Sequence, residues 1–226
     1  MSTVQEQGTG SGISTWQIDP NHSLVEFSTK HMMITTVKGR FGKVSGTVTV
    51  DERNPDRSRV EAEIEAASID TRAEQRDQHL RSPDFLEADN HAQITFSSRR
   101  VEGSSSNPGD EFRVIGDLTI RGTTREVTLD AVYEGVGKDP WGGQRVSFSA
   151  RTKIDRRDFG LTWNQALETG GILFGNEINT QKTAVPTPVA TRATAQSRSR
   201  LTHAVRRNRS PSFSYTIAAI VPVTSR

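Results

Sequence analysis

From Val60 to Ala66 the chain alternates without exception, Val60, Ala62, Ile64 and Ala66 interleaving with Glu61, Glu63 and Glu65. A period of two marks a strand with one apolar face and one face in water. The same pattern recurs along most of the chain. Trp16 and Ile18 open a short first strand, Val25, Phe27 and Thr29 share one face of the next, and Val48 and Val50 share one face of a third. Ile94 and Phe96 begin another, followed by the longest ladder, Phe112, Val114, Gly116, Leu118 and Ile120. Arg121-Gly122-Thr123-Thr124 turns that ladder tightly into Val127, Leu129, Ala131 and Tyr133, a hairpin, and Val146 to Ile154 gives one more. Roughly eight or nine strands with single apolar faces, joined by short turns, predict an antiparallel barrel or sandwich over any α/β layout. A closed barrel also removes bare strand edges, and about eight strands is the size that holds one small ligand.

One segment breaks the pattern. Asp70-Thr71 is N-cap chemistry, and Arg72 to Arg81 follows with high helix propensity, Glu74 standing at the capping-box spacing from Thr71. Ser82-Pro83 reads as a second helix start through Asp84, Phe85 and Leu86. A single short helical segment over about 71–86 is therefore expected.

The 226 residues hold no cysteine, which excludes disulfides, thiolate nucleophiles and Cys-ligated metals. Residues 1–14 are polar and Gly/Ser-rich, without the basic and apolar regions of a leader, and nothing approaches the ~20 apolar residues of a membrane span, so a cytoplasmic location is the expectation. The net charge of +2 conceals an asymmetry. From Gln181 to Arg226 there are eight basic residues and no acidic one, leaving 21 basic against 27 acidic before it.

His22, His31, His79 and His91 show none of the close spacings that build a metal site from one element, and no metal or other cofactor is expected. Asp19, His22 and Ser23 lack the nucleophile elbow of a hydrolase and read as turn chemistry. Arg76-Asp77-x-His79 has two readings. It serves a polar headgroup, Arg offering a planar fork and His a donor, or it pins the helix, Asp77 pairing with Arg76 or Arg81. Met32, Met33 and Ile34 interrupt a strand and read equally as core filling or as a ligand gate, since Met adapts to irregular shapes. Trp141 and Trp163 are open between a portal role and packing.

The motifs resemble one family, the YceI-like, lipocalin-like proteins. The likeness rests on Trp16-Gln17-Ile18-Asp19-Pro20-Asn21-His22-Ser23, Val37-Lys38-Gly39-Arg40-Phe41, Ser68-Ile69-Asp70-Thr71, Arg76-Asp77-x-His79-Leu80, Gly116-Asp117-Leu118-Thr119-Ile120-Arg121-Gly122 and Arg156-x-Asp158-Phe159-Gly160, and covers about residues 15–178. The resemblance implies an all-β, extended antiparallel lipocalin-like barrel whose apolar interior binds a polyisoprenoid, either a prenyl pyrophosphate or an isoprenoid quinone, without catalysis. On that basis Phe27, Met32, Ile34, Phe41, Leu80, Phe85, Phe96, Val114, Leu118, Val127, Leu129 and Phe148 are expected around the chain, with small residues such as Ala62, Ala66, Gly116, Ala131 and Ala150 leaving space. His22, Arg76, Asp77 and His79 are the headgroup candidates. The alternative is an enzyme on the same scaffold, with Arg76, Asp77 and His79 acting on the headgroup.

Three regions are expected: a flexible start over 1–14, the barrel over 15–180, and a basic tail over 181–226 with the composition of a disordered segment. Asn176 to Lys182 has one apolar residue where the family's alternating last strand belongs. The tail reads either as an arm for anionic membrane surfaces or nucleic acid, or as the product of a late shift of reading frame that replaced the true last strand. No nucleic acid is expected for the barrel itself, and association into homodimers is left open.

Overall fold

The structure is a computed structural model and describes residues 12–32, 34–103, 107–138, 140, 144–164, 174–184 and 186–188. Met33, Trp141 and the chain beyond 188 lie outside them, as do the readings placed on those residues. The elements are β1 (Ile13–Ile18), β2 (Leu24–His31), β3 (Thr35–Phe41), β4 (Val44–Asp51), β5 (Arg59–Glu65), β6 (Ile69–Asp70), α1 (Glu74–Arg81), β7 (Gln93–Glu102), β8 (Glu111–Ile120), β9 (Thr123–Lys138), β10 (Gln144–Asp155), β11 (Phe174–Ala184) and β12 (Pro186–Pro188). Every strand pairing is antiparallel.

These twelve strands make eight walls. β1 continues into β2 and β3 into β4 across a turn or bend, β5 into β6 across one 3-10 turn, and β12 follows β11 in the chain. β5, β7, β8, β9, β10 and β11 then pair in succession, and β11 also pairs with β2 while β12 pairs with β1. With β1/β2 on β3/β4 and β3/β4 on β5/β6, the pairing returns to its start. Among the described residues every wall of this ring has a neighbour on both sides, which disposes of the liability that a bare edge carries.

The β8–β9 hairpin forms as its sequence requires. Arg121 (φ 49°) and Gly122 (φ 71°) both take the left-handed conformation of a two-residue turn, between the paired Ile120 and Thr123. The helical segment is shorter than expected. Arg72 turns with a φ of 62°, its N–H donating to the Asp70 carboxylate, so α1 starts at Glu74 and its N-cap position is Ala73, which offers no side-chain cap. Thr71 therefore caps nothing, and Ser82 is the C-cap of α1, its N–H donating to the His79 carbonyl. Turns, not a second helix, carry Pro83 to Leu86.

The last strand is also corrected. β11 runs to Ala184, past the expected limit at 180, pairing with β10 from Glu177 to Ala184 and with β2 from Ile178 to Thr183. A polar sequence extends here because both of its edges meet neighbours, so backbone hydrogen bonds supply what an apolar face supplies elsewhere.

Candidate functional site

The inward positions of the ladders do not fill the barrel. They enclose a cavity of about 730 Å³ that extends along it, within the size range of ligand pockets. Ala62, Ala131 and Ala150 line it, small residues where larger ones would close the space. Gly116 works differently. A Cβ there would stand 2.8 Å from Phe96 Cζ, so the room it leaves is already taken by the Phe96 ring.

Of the apolar residues expected around a ligand, Phe27, Phe41, Leu80, Phe85 and Phe96 line the cavity, as do Val114, Leu118, Val127, Leu129 and Phe148. Met32 and Ile34 do not. They stand 41 % and 78 % exposed at the turn between β2 and β3, so neither core filling nor a gate fits them: the interruption of the strand is the hairpin reversal itself.

α1 closes one end of the cavity and brings Leu80 and Arg76 to it. Asp77 holds the helix in place. It is 4 % exposed, and its Oδ1 accepts the Thr71 N–H at 2.9 Å and the Thr71 hydroxyl at 2.5 Å. Arg76 Nε donates to the same hydroxyl oxygen at 2.7 Å and Nη2 to the Thr71 carbonyl at 2.8 Å. The Arg76 charge thus meets Asp77 only through the Thr71 hydroxyl. Arg81 fastens the other side of α1 to the Ala67 and Ile69 carbonyls at 2.9 and 3.0 Å. The expected pairing of Asp77 with Arg76 or Arg81 is replaced by these bonds.

Of the four headgroup candidates, Arg76 alone is on the cavity lining. His22 is exposed at the turn after β1, 2.7 Å from Asp19. Asp77 is spent on Thr71, and His79 bonds Asp84 at 2.9 Å while its ring meets Phe85 and Trp163 edge-on at 5.0 and 4.6 Å. Trp163 also packs on Phe85 and Phe174, so it belongs to an aromatic plug at the α1 end.

The sequence reading missed Arg156. It is 4 % exposed, lines the cavity and donates to the carbonyls of Gly175, Leu161 and Trp163 at 3.1, 2.7 and 2.8 Å. Gly160, at φ 74°, reverses the chain after Arg156 so that those carbonyls return to it. Burial pushes the guanidinium below its ordinary pKa, an effect that the neighbouring Asp155 opposes. The opposite end carries the other sign: Asp51 and Glu52 line it, and Asp51 is 7 % exposed with its Oδ1 accepting the N–H groups of Arg53 and Asn54. The cavity is apolar along its length, cationic at the α1 end and acidic at the far end.

The family model of the YceI-like domain matches residues 16–184. Protein YceI of Salmonella newport is 40 % identical over 157 residues, covering 68 % of this chain and 80 % of that protein. The UPF0312 protein of Staphylococcus epidermidis is 36 % identical over 173 residues, 76 % of this chain and 96 % of the relative. Among solved structures, the YCEI protein of Campylobacter jejuni is 28 % identical with a TM-score of 0.59, covering 72 % of this chain and 90 % of that one. A polyisoprenoid binding domain from Saccharophagus degradans shares the fold at 12 % identity, with a TM-score of 0.58 over 77 % of this chain and 98 % of that one.

Proposed function

The chain belongs to the YceI-like family, and from that premise we propose that its barrel binds, sequesters or carries a polyisoprenoid lipid without changing it. The observation that carries this reading is the cavity itself: about 730 Å³, walled by apolar side chains from every part of the barrel. An isoprenoid chain gains about 25 cal/mol per Å² of apolar surface buried, so such a wall supplies affinity with few polar contacts. The relative from Saccharophagus degradans, a polyisoprenoid binding domain, supports the ligand class.

In this reading the headgroup sits at the α1 end. Arg76 reaches the lining with bonds only to neutral oxygens of Thr71, and its planar fork suits a pyrophosphate or a quinone carbonyl. Asp77 and His79 are committed to Thr71 and Asp84, which supports a holding role for the polar groups at this end.

Native mass spectrometry of the full chain purified from its own source, with organic extraction, tests the proposal. A stoichiometric prenyl lipid, returned unchanged, is the expected result. A folded protein that carries none and takes up neither added prenyl pyrophosphate nor added quinone overturns it.

A further inference from the structure

Four large apolar side chains stand exposed among the described residues: Ile13, Met32, Ile34 and Val136. Two of them, Met32 and Ile34, share one hairpin tip between β2 and β3. The tip is a built turn. Met32 takes a φ of 52°, and the His31 carbonyl accepts both the Ile34 N–H and the Thr35 hydroxyl at 3.2 Å.

Below the tip the hairpin is basic. Residues 27–40 include Lys30, His31, Lys38 and Arg40 and no acidic residue, although the chain before 181 carries more acid than base; Arg40 is bonded to Asp70, which leaves Lys30, His31 and Lys38 as the basic groups near the tip. Lys30 and Lys38 are exposed, and neither is paired with a carboxylate among the described residues. The inward positions of the same two strands belong to the cavity: Thr29 and Val37 line it, and the His31 ring meets Phe174, another lining residue, at 5.3 Å. An apolar tip above a cationic collar matches one surface, a bilayer whose anionic headgroups meet the lysines while its acyl boundary takes the apolar side chains.

We infer that the β2–β3 hairpin docks the barrel onto an anionic lipid bilayer through Met32 and Ile34, presenting the α1 end of the cavity to the membrane. The purpose of such docking, collecting or delivering a prenyl chain, rests on the lipid-binding reading; the docking itself does not.

The absence of cysteine makes the test site-specific. Ile34→Cys in the full chain is labelled with an environment-sensitive fluorophore, and Val136→Cys, at the opposite end of the barrel, is labelled in the same way. Each is mixed with phosphatidylcholine vesicles with and without phosphatidylglycerol, all free of prenyl lipid. A blue shift at position 34 but not at 136, dependent on phosphatidylglycerol and reduced by salt, is expected. Met32→Glu with Ile34→Glu weakens vesicle binding at least roughly tenfold while leaving prenyl retention in native mass spectrometry unchanged.

Vesicle binding without a change at position 34 overturns the inference, since the basic tail or another surface then carries the contact. A shift at 34 without vesicles that grows with protein concentration also overturns it, making the hairpin an interface between copies. Docking by a protein that never retains a prenyl lipid removes the carrier reading alone.

Discussion

Gly39 shows how narrowly single atoms set the cavity wall. A Cβ at this position would stand 2.4 Å from Phe27 Cζ and 2.8 Å from Thr71 Cγ2, so only glycine lets the aromatic wall and the α1 anchor share one strand. Gly39→Ala is expected to lose roughly 1–3 kcal/mol by overpacking, read as a lower midpoint in urea unfolding. Asp77 and Arg76, one position apart, separate in their effects. Asp77→Ala leaves the Thr71 N–H and hydroxyl without their buried acceptor and costs about 2–3 kcal/mol in the same measurement. Arg76→Gln removes the charged fork from the lining: affinity for a prenyl pyrophosphate falls roughly ten- to hundredfold by titration, while that for an isoprenoid quinone changes far less. Alternation put Phe27 and Phe148 on apolar strand faces, and the family resemblance pointed those faces inward, onto what is the cavity lining. Arg156 was not legible, because its burial depends on carbonyls of residues 161, 163 and 175, which reach it only through the fold.

Among the elements, the turn between β1 and β2 is fastened to β10 by charge. The Asp19 carboxylate, 12 % exposed, takes bonds from His22, Arg145 and the Asn21 N–H. Desolvation alone would raise its pKa, but these bonds outweigh it and hold the group at about 2. An ionised group favoured by folding stabilises above its unfolded pKa, near 3.9, and this contribution is lost as pH falls towards about 2. After allowance for partial solvent screening it amounts to about 1–2 kcal/mol, so Asp19→Asn lowers stability at neutral pH by that much and flattens the acid limb of a stability–pH curve. Element legibility followed apolar patterning. The β8–β9 hairpin was readable because its ladders and its Arg121-Gly122 turn agree, whereas β11 was misjudged because its pairing on two edges leaves little trace in side chains. The α1 start was misplaced for a local reason, the left-handed Arg72 that withdraws Thr71 from the cap.

For the molecule as a whole, the cavity is a matter of volume left unfilled. Ala150 lies on the lining of β10, and Ala150→Phe adds apolar bulk into that space. Stability is expected to hold or rise by up to about 1 kcal/mol, while the longest prenyl chain retained in native mass spectrometry becomes shorter; an unchanged chain-length distribution would place the lipid elsewhere. The order in which the walls are made has a further consequence. β11 is the wall that joins β10 to β2, yet it is the last of the eight to leave the ribosome. Until it emerges, any trough formed by the first seven walls keeps two bare edges and leaves its lining open to water. A single late segment therefore decides whether the product is a sealed vessel or a sticky intermediate.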